Sequence, residues 1–191
     1  MNLENSFFWE ISFSGLFVIL GTWLSYLYQK HITKKDEEAK INSILLAVKI
    51  EISTLWNRYN KEMGPLIESL EGDTGLNTYY PVFDDYFVIY NNNTEFIGNI
   101  DKELGALIIK TYIVAKGLKD SLLFNNQLLN KFQRYYDLAE ESNLDHYSKQ
   151  HINCHETWKN YGQSLKKAHF ELKDIANKLL ISIDKKLLSQ K

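Results

Sequence analysis

Apolar side chains recur along most of the chain at alternating steps of four and three residues, a spacing that places them on one face of an α-helix. Three such stripes each predict a long helix, and because each helix can bury only one face, together they predict an all-α antiparallel bundle. The stripes consist of Ile41, Leu45, Val48, Ile52, Leu55 and Tyr59; of Leu104, Ile108, Thr111, Ala115, Leu118, Leu122, Asn125, Leu129, Phe132 and Tyr136; and of Trp158, Leu165, Leu172, Leu179 and Ile183.

Turn signals separate these stripes. Gly64-Pro65 should interrupt the first helix, because proline lacks the amide hydrogen and clashes with the preceding turn. Asp101 can cap the second helix, and a polar break over 141–145 separates it from the third. Asn125 places an amide on an apolar seam, a device that can fix the register between helices.

The segment 76–100 is the least regular part of the chain and is rich in aromatic residues. Pro81 suits the first turn of a helix, so we expect a short aromatic-rich helix or turn between the first two long helices. A strand over 86–90 is the alternative, because aromatic and β-branched residues favour strands. We interpret five aromatic side chains as an interaction surface: Tyr80, Phe83, Tyr86, Tyr90 and Phe96.

Residues 7–28 are apolar with a single ionisable side chain, Glu10. The uncharged stretch 11–28 would be roughly 27 Å long as a helix, close to the ~30 Å hydrocarbon core of a bilayer. The pattern predicts a retained transmembrane helix. A cleaved signal peptide should begin with basic residues, whereas Glu4 and Glu10 precede this span, and a buried core helix is the third interpretation.

Basic residues follow the span and none precedes it. Lys30, Lys34 and Lys35 should therefore face the cytoplasm, where they can also contact anionic lipid. The predicted domains are 1–29, a short N-terminus with the membrane helix, and 30–191, a cytoplasmic helical domain.

Small residues occur within the predicted membrane helix. Gly21 and Ser25 are four residues apart, and Ser14 precedes Gly21 by two helical turns. Such a face lets two helices approach closely, so it predicts self-association in the membrane. The alternative is that glycine and serine are simply common in membrane helices.

Candidate chemistry is sparse in the 191 residues. A net charge of −2 makes nucleic acid an unlikely partner. His151 and His155 have the spacing of two zinc ligands, but the glutamate of a zinc hydrolase motif is missing between them. Together with His169 they also extend the third apolar stripe, which favours a packing role. We therefore predict no catalytic residues, no metal, no cofactor and no enzymatic activity.

One pattern carries a resemblance. Pro81-Val82-Phe83, Tyr90, the element Ile97-Gly98-Asn99-Ile100 and a helix containing Tyr112 follow in this order. This pattern is similar to small bacterial membrane-tethered helical proteins, some of them in anti-phage defence modules such as retron effectors. The resemblance covers about a fifth of the chain and the general layout.

The resemblance implies a single-pass protein of the bacterial inner membrane. Its function would be that of an effector or sensor subunit that binds a protein partner and acts by oligomerisation of its membrane helix. A passive tether or scaffold for a cytoplasmic partner is the alternative hypothesis. A metal-dependent enzyme built on His151 and His155 is the third.

Overall fold

The computed structural model describes the backbone of residues 3–72, 74–82, 86–142 and 144–189, and their side chains from Val18 onward except Ile19. Within these ranges all regular structure is helical. The chain divides into two compact units, Met1–Ser43 and Ile44–Lys191. The predicted division at residue 29 concerns the edge of a membrane, and it stays a prediction.

The described residues form three long helices and three short ones. Asp101 caps the second long helix as predicted, since its carboxylate accepts a hydrogen bond from the Leu104 amide at 3.0 Å. The first helix ends just before Gly64-Pro65, also as predicted. The helices are α1 (Leu3–Glu62), α2 (Gly64–Glu68), α3 (Val88–Asn92), α4 (Thr94–Ile97), α5 (Lys102–Ser142) and α6 (Asp145–Leu188).

The second unit is a helical bundle in which α5 and α6 pack against each other in antiparallel orientation. The Lys49 ammonium contacts Asp184 at 2.5 Å, and the Tyr59 hydroxyl contacts His169 at 2.9 Å. These pairs run in opposite directions along the two helices, so the 49–59 section of α1 is antiparallel to α6. The predicted stripes supply the fully buried side chains Leu45, Val48, Ile108, Leu165, Leu179 and Ile183.

The connecting segment comprises residues 69–87. Its described backbone between Leu70 and Tyr80 is held against α5 and α6 by side-chain hydrogen bonds. Asn126 accepts from the Tyr80 amide at 3.2 Å and donates to the Tyr80 carbonyl at 2.8 Å. The Leu76 carbonyl accepts from Asn125 at 3.1 Å and from Trp158 at 3.2 Å. In a helix or sheet, other backbone groups would form these hydrogen bonds. Here the side-chain amides of asparagine and the indole of tryptophan form them instead.

These contacts explain a prediction that was wrong. Pro81 does not begin a helix, because Asn126 holds the backbone of Tyr80 from both sides. The short helix α3 begins later, at Val88, and the strand alternative fails because Val88–Asn92 is helical. The Glu51 carboxylate accepts from two amides in the first turn of α3, that of Ile89 at 2.7 Å and that of Tyr90 at 3.3 Å. A side chain of α1 therefore fixes where α3 begins.

The closest approach of the connecting segment to α6 involves two glycines. A methyl group on Gly162 would overlap the Thr74 carbonyl oxygen and lie 3.1 Å from the Cα of Gly75. A methyl group on Gly75 would in turn overlap the Trp158 ring. The backbone of the segment reaches α6 only because both side chains are absent.

Candidate functional site

The described side chains of the N-terminal unit include many exposed apolar ones. Every side chain described from Leu20 to Lys40 is exposed, including Trp23 at 58% and Tyr28 at 68%. Isolated apolar residues on a surface are ordinary, but a helical stretch of them marks a contact with lipid or protein. The large exposed apolar side chains described from Val18 to Lys40 are Val18, Leu20, Trp23, Leu24, Tyr26, Leu27, Tyr28 and Ile32.

The predicted packing face lies only partly within the described side chains. Gly21 and Ser25 are exposed, and a methyl group on Gly21 would meet no atom within 4 Å. The side chain of Ser14 lies outside the described residues. The predicted span 7–28 is likewise covered only in part, and among the described residues no helix has an apolar stretch long enough to cross a membrane.

The basic residues predicted to contact lipid are exposed. Lys34 is 3.9 Å from Glu38, one helical turn later. At such exposure this pair contributes little to stability, so the side chains remain able to reorient towards another partner. Contact of Lys30, Lys34 and Lys35 with lipid stays a prediction.

The five aromatic residues interpreted as an interaction surface do not share one environment. Tyr80 is buried at 7% exposure, where its ring packs edge-on against Tyr59, so its assignment to a surface was wrong. The burial that removes it from solvent raises its pKa to about 12. Tyr86, Tyr90 and Phe96 are half-buried, and Phe83 lies outside the described residues.

Tyr90 belongs to a cluster organised by Glu51. Its ring stacks on that of Tyr112 with centroids 4.1 Å apart, and the Tyr112 hydroxyl donates to Glu51 at 2.6 Å. Burial and this hydrogen bond raise the pKa of Tyr112, so the phenol remains a donor. The Lys116 ammonium lies 5.2 Å from the centroid of the Tyr90 ring. The cluster holds α3 against α1 and α5, which is a structural role.

His151 and His155 form part of an aromatic stack. Their ring planes are 15° apart with centroids separated by 6.5 Å, and both rings contact Phe132. In this stack each imidazole packs against an aromatic ring, which is a structural role. In the described part of the chain no group of three or more His, Cys, Asp or Glu side chains could hold a metal ion.

A polar network in the bundle links four side chains from α1, α2 and α6. His169 is completely buried; its Nδ1 lies 2.9 Å from the Tyr59 hydroxyl and its Nε2 lies 3.1 Å from the Glu68 carboxylate. Lys173 donates to the same carboxylate oxygen at 2.7 Å. The sequence showed only that His169 continues an apolar stripe. A polar residue on a buried stripe requires a hydrogen-bond partner. The sequence could not identify the partners of His169, because they lie more than a hundred residues away in the chain.

The charges of this network assign its protons. Hydrogen bonds from Lys173 and then from His169 lower the pKa of Glu68, so the carboxylate only accepts. In a neutral ring, His169 must therefore donate from Nε2, which leaves Nδ1 to accept from the Tyr59 hydroxyl. Burial raises the pKa of Tyr59, so its proton stays on the phenol. The arrangement fixes the positions of α1 and α2 against α6.

We expect the network to make stability depend on acid pH. Because the pKa of Glu68 is lower in the folded state than its ordinary value of 4.5, its contribution is present above that value and is lost as the pH falls through the folded pKa. Thermal unfolding of the native chain between pH 7 and pH 3, compared with Glu68→Gln, checks this. The variant should show a shallower loss of Tm below about pH 4.5. Identical slopes would contradict the assignment.

An apolar cavity of about 80 Å³ lies beside this network. Its walls include the rings of Trp56, Tyr59, Tyr80, Tyr86 and Phe87, which come from α1 and the connecting segment. Side chains of α5 and α6 complete it. The sequence predicts a surface position for Tyr80 and Tyr86, and only the packing of the helices places them around a cavity.

The comparisons with known proteins give no relative to set beside this geometry. No family model matches the chain, and no curated protein and no solved structure is similar to it.

Proposed function

We propose that this protein is a membrane-anchored helical effector or sensor subunit that acts through partner binding and self-association of its N-terminal helix. The observation that carries the proposal is the exposed apolar surface from Val18 to Tyr28, followed by the charged stretch 30–40. Apolar side chains at this density are stable when hydrocarbon or protein covers them. The change from aromatic to basic residues near Tyr28 is typical of the boundary of a membrane span.

Self-association is supported by the open surface around Gly21. Because no atom lies within 4 Å of a methyl group placed there, a second helix could approach the backbone closely. In lipid, the resulting contact would depend on close packing, since apolar side chains gain little from leaving hydrocarbon.

Partner binding is supported by a shallow apolar groove on the second unit. Ile50 is exposed on α1 and lines the groove together with Leu55, Tyr86 and Ile89. Tyr86, which the sequence predicts to be part of an interaction surface, is one of the residues that line this groove. The groove could receive one face of a helix from a protein partner.

The proposal is tested first by location. In bacterial cells that express the full chain, we expect the protein to remain in the membrane pellet after an alkaline carbonate wash. Cross-linking in those membranes should give oligomers, and Gly21→Leu should reduce them several-fold because the added side chain separates the helices. Thr22→Leu adds bulk to the next residue, on a different face, and is the matched control.

Two results would overturn the proposal. If the full chain stays in detergent-free buffer as a compact monomer, it is not anchored in the membrane. If Gly21→Leu and Thr22→Leu cross-link equally well, the helices do not associate through the face that contains Gly21. Replacement of residues 1–29 by an unrelated membrane anchor distinguishes the effector hypothesis from the tether hypothesis. A tether should keep its function with the new anchor, whereas an effector that acts through its own helix should lose it.

A further inference from the structure

Seven exposed residues form a stripe along the outer face of α5. They follow each other at steps of four, three and four residues, twice over, a spacing of about one helical turn that keeps them on one face. Ile113 is 63% exposed and Ile109 is 41% exposed, and apolar side chains in such a run mark a contact surface. The α5 stripe consists of Lys102, Ala106, Ile109, Ile113, Gly117, Asp120 and Phe124, all of them exposed.

The α5 stripe has the same spacing in both directions from Ile113. If a second copy of α5 packs antiparallel on the first, with Ile113 at the two-fold axis, every member of the stripe lies opposite another member. Ile113 then contacts its own counterpart, and Ile109 lies opposite Gly117. A stripe with this symmetry fits a second copy of the same chain.

The sizes of the facing residues are complementary. A methyl group on Gly117 would meet no atom within 4 Å, so the surface above its backbone is open. The Ile109 side chain of the second copy can fill this space, and the two-fold axis repeats the contact. Packing a branched side chain over a glycine brings many atoms of the two helices into van der Waals contact.

The charges of the stripe are complementary as well. Lys102 and Asp120 are 18 residues apart on one helix, roughly 27 Å, so they cannot pair within one chain. In the antiparallel contact, Lys102 lies within one helical turn of Asp120 of the second copy, a distance that a lysine side chain can span. Lys102 is also in the first turn of α5, where a carboxylate from the second copy would offset its unfavourable interaction with the helix dipole. Two further lysines lie at the edges of the stripe: Lys116 donates to Asn91 at 3.3 Å, and the exposed Lys110 can extend into solvent.

We propose that the α5 stripe binds a second copy of this chain, in an antiparallel contact between two α5 helices. The contact is independent of the N-terminal helix, since every residue it uses belongs to the second unit. Two helices in contact over roughly 33 Å bury less surface than the ~1,200–2,000 Å² of a stable interface. The dimer is therefore weak, and it forms where the chains are concentrated.

Cysteine cross-linking in whole cells that express the full chain tests this proposal and does not depend on where the protein is located. A short membrane-permeant bismaleimide should link two copies of Ile113→Cys, because residue 113 lies at the two-fold axis. Ile181→Cys is the matched control, since Ile181 is an isoleucine of α6 with 56% exposure, and it should give several-fold less dimer. The native chain gives the background, because its single cysteine, Cys154, is buried.

Charge reversal in the Ile113→Cys chain tests the partner and the register. Lys102→Glu and Asp120→Lys should each reduce the cross-linked dimer several-fold, because like charges then meet across the contact. The two changes combined in one chain exchange the charges and should restore the dimer. Restoration identifies a second copy as the partner, since the two residues are too far apart to compensate for each other within one helix.

Three results would overturn the proposal. The first is equal cross-linking of Ile113→Cys and Ile181→Cys, which would reflect random collisions. The second is a dimer that neither charge reversal weakens, or that the combined reversal fails to restore. The third is a cross-linked product of Ile113→Cys whose mass is not twice that of the chain, which would show that a different protein covers the stripe.

Discussion

Replacing Gly162 by alanine is expected to destabilise the bundle by about 3 kcal/mol and to lower its Tm by roughly 5–10 °C. The added methyl group would overlap the carbonyl oxygen of Thr74, which is backbone and cannot rotate away. Relief requires the connecting segment to move off α6, and the movement would break the hydrogen bonds from Asn125 and Trp158 to the Leu76 carbonyl. Thermal unfolding followed by far-ultraviolet circular dichroism measures the effect.

Gly117→Ala is the matched control for this prediction. Gly117 is exposed in the interior of α5, and a methyl group there would meet no atom within 4 Å. Alanine lowers the entropy of the unfolded chain and favours the helix, so this substitution should stabilise the protein by roughly 0.5–1 kcal/mol. The same chemical change is thus expected to have opposite signs at two helical glycines. Destabilisation of similar size at both positions would show that the close contact between Gly162 and the Thr74 carbonyl does not cause the loss of stability.

Replacing His169 by leucine should destabilise the protein by about 3 kcal/mol, although leucine is apolar and similar in size. The reason is that the buried Tyr59 hydroxyl would lose its partner, and Glu68 would lose one of its two donors. Tyr59→Phe alone should cost about 1–2 kcal/mol, because it leaves the Nδ1 of His169 unpaired in the core.

A double variant, Tyr59→Phe with His169→Leu, tests whether the loss of stability comes from the hydrogen bond between the two side chains or from their packing. When both Tyr59 and His169 become apolar, no buried polar atom of this pair remains unsatisfied. The loss should then be smaller than the sum of the two single losses by about 1–2 kcal/mol. Denaturant unfolding of the native chain, the two single variants and the double variant measures the coupling free energy between Tyr59 and His169. Strictly additive losses would mean that the hydroxyl and the ring do not stabilise each other.

The outcome for the aromatic residues shows why the sequence was insufficient at the connecting segment. Tyr80 and Tyr86 are chemically alike and six residues apart, yet Tyr80 is buried against Tyr59 and Tyr86 is half-buried at the edge of a groove. In a helix or strand, periodicity would have distinguished inward from outward positions. In an irregular segment the environment of each side chain depends on partners such as Asn126, which lies elsewhere in the chain.

The sequence by itself determined the long helices, their boundaries at Gly64-Pro65 and Asp101, and the faces that they bury. These features depend on helical periodicity and on local capping, both of which act over a few residues. Only the tertiary structure decided that α3 begins under Glu51, that His169 joins Tyr59 to Glu68, and that a cavity lies beside them. Those features require side chains distant in sequence to meet, and their positions are set by how the helices pack rather than by any local pattern.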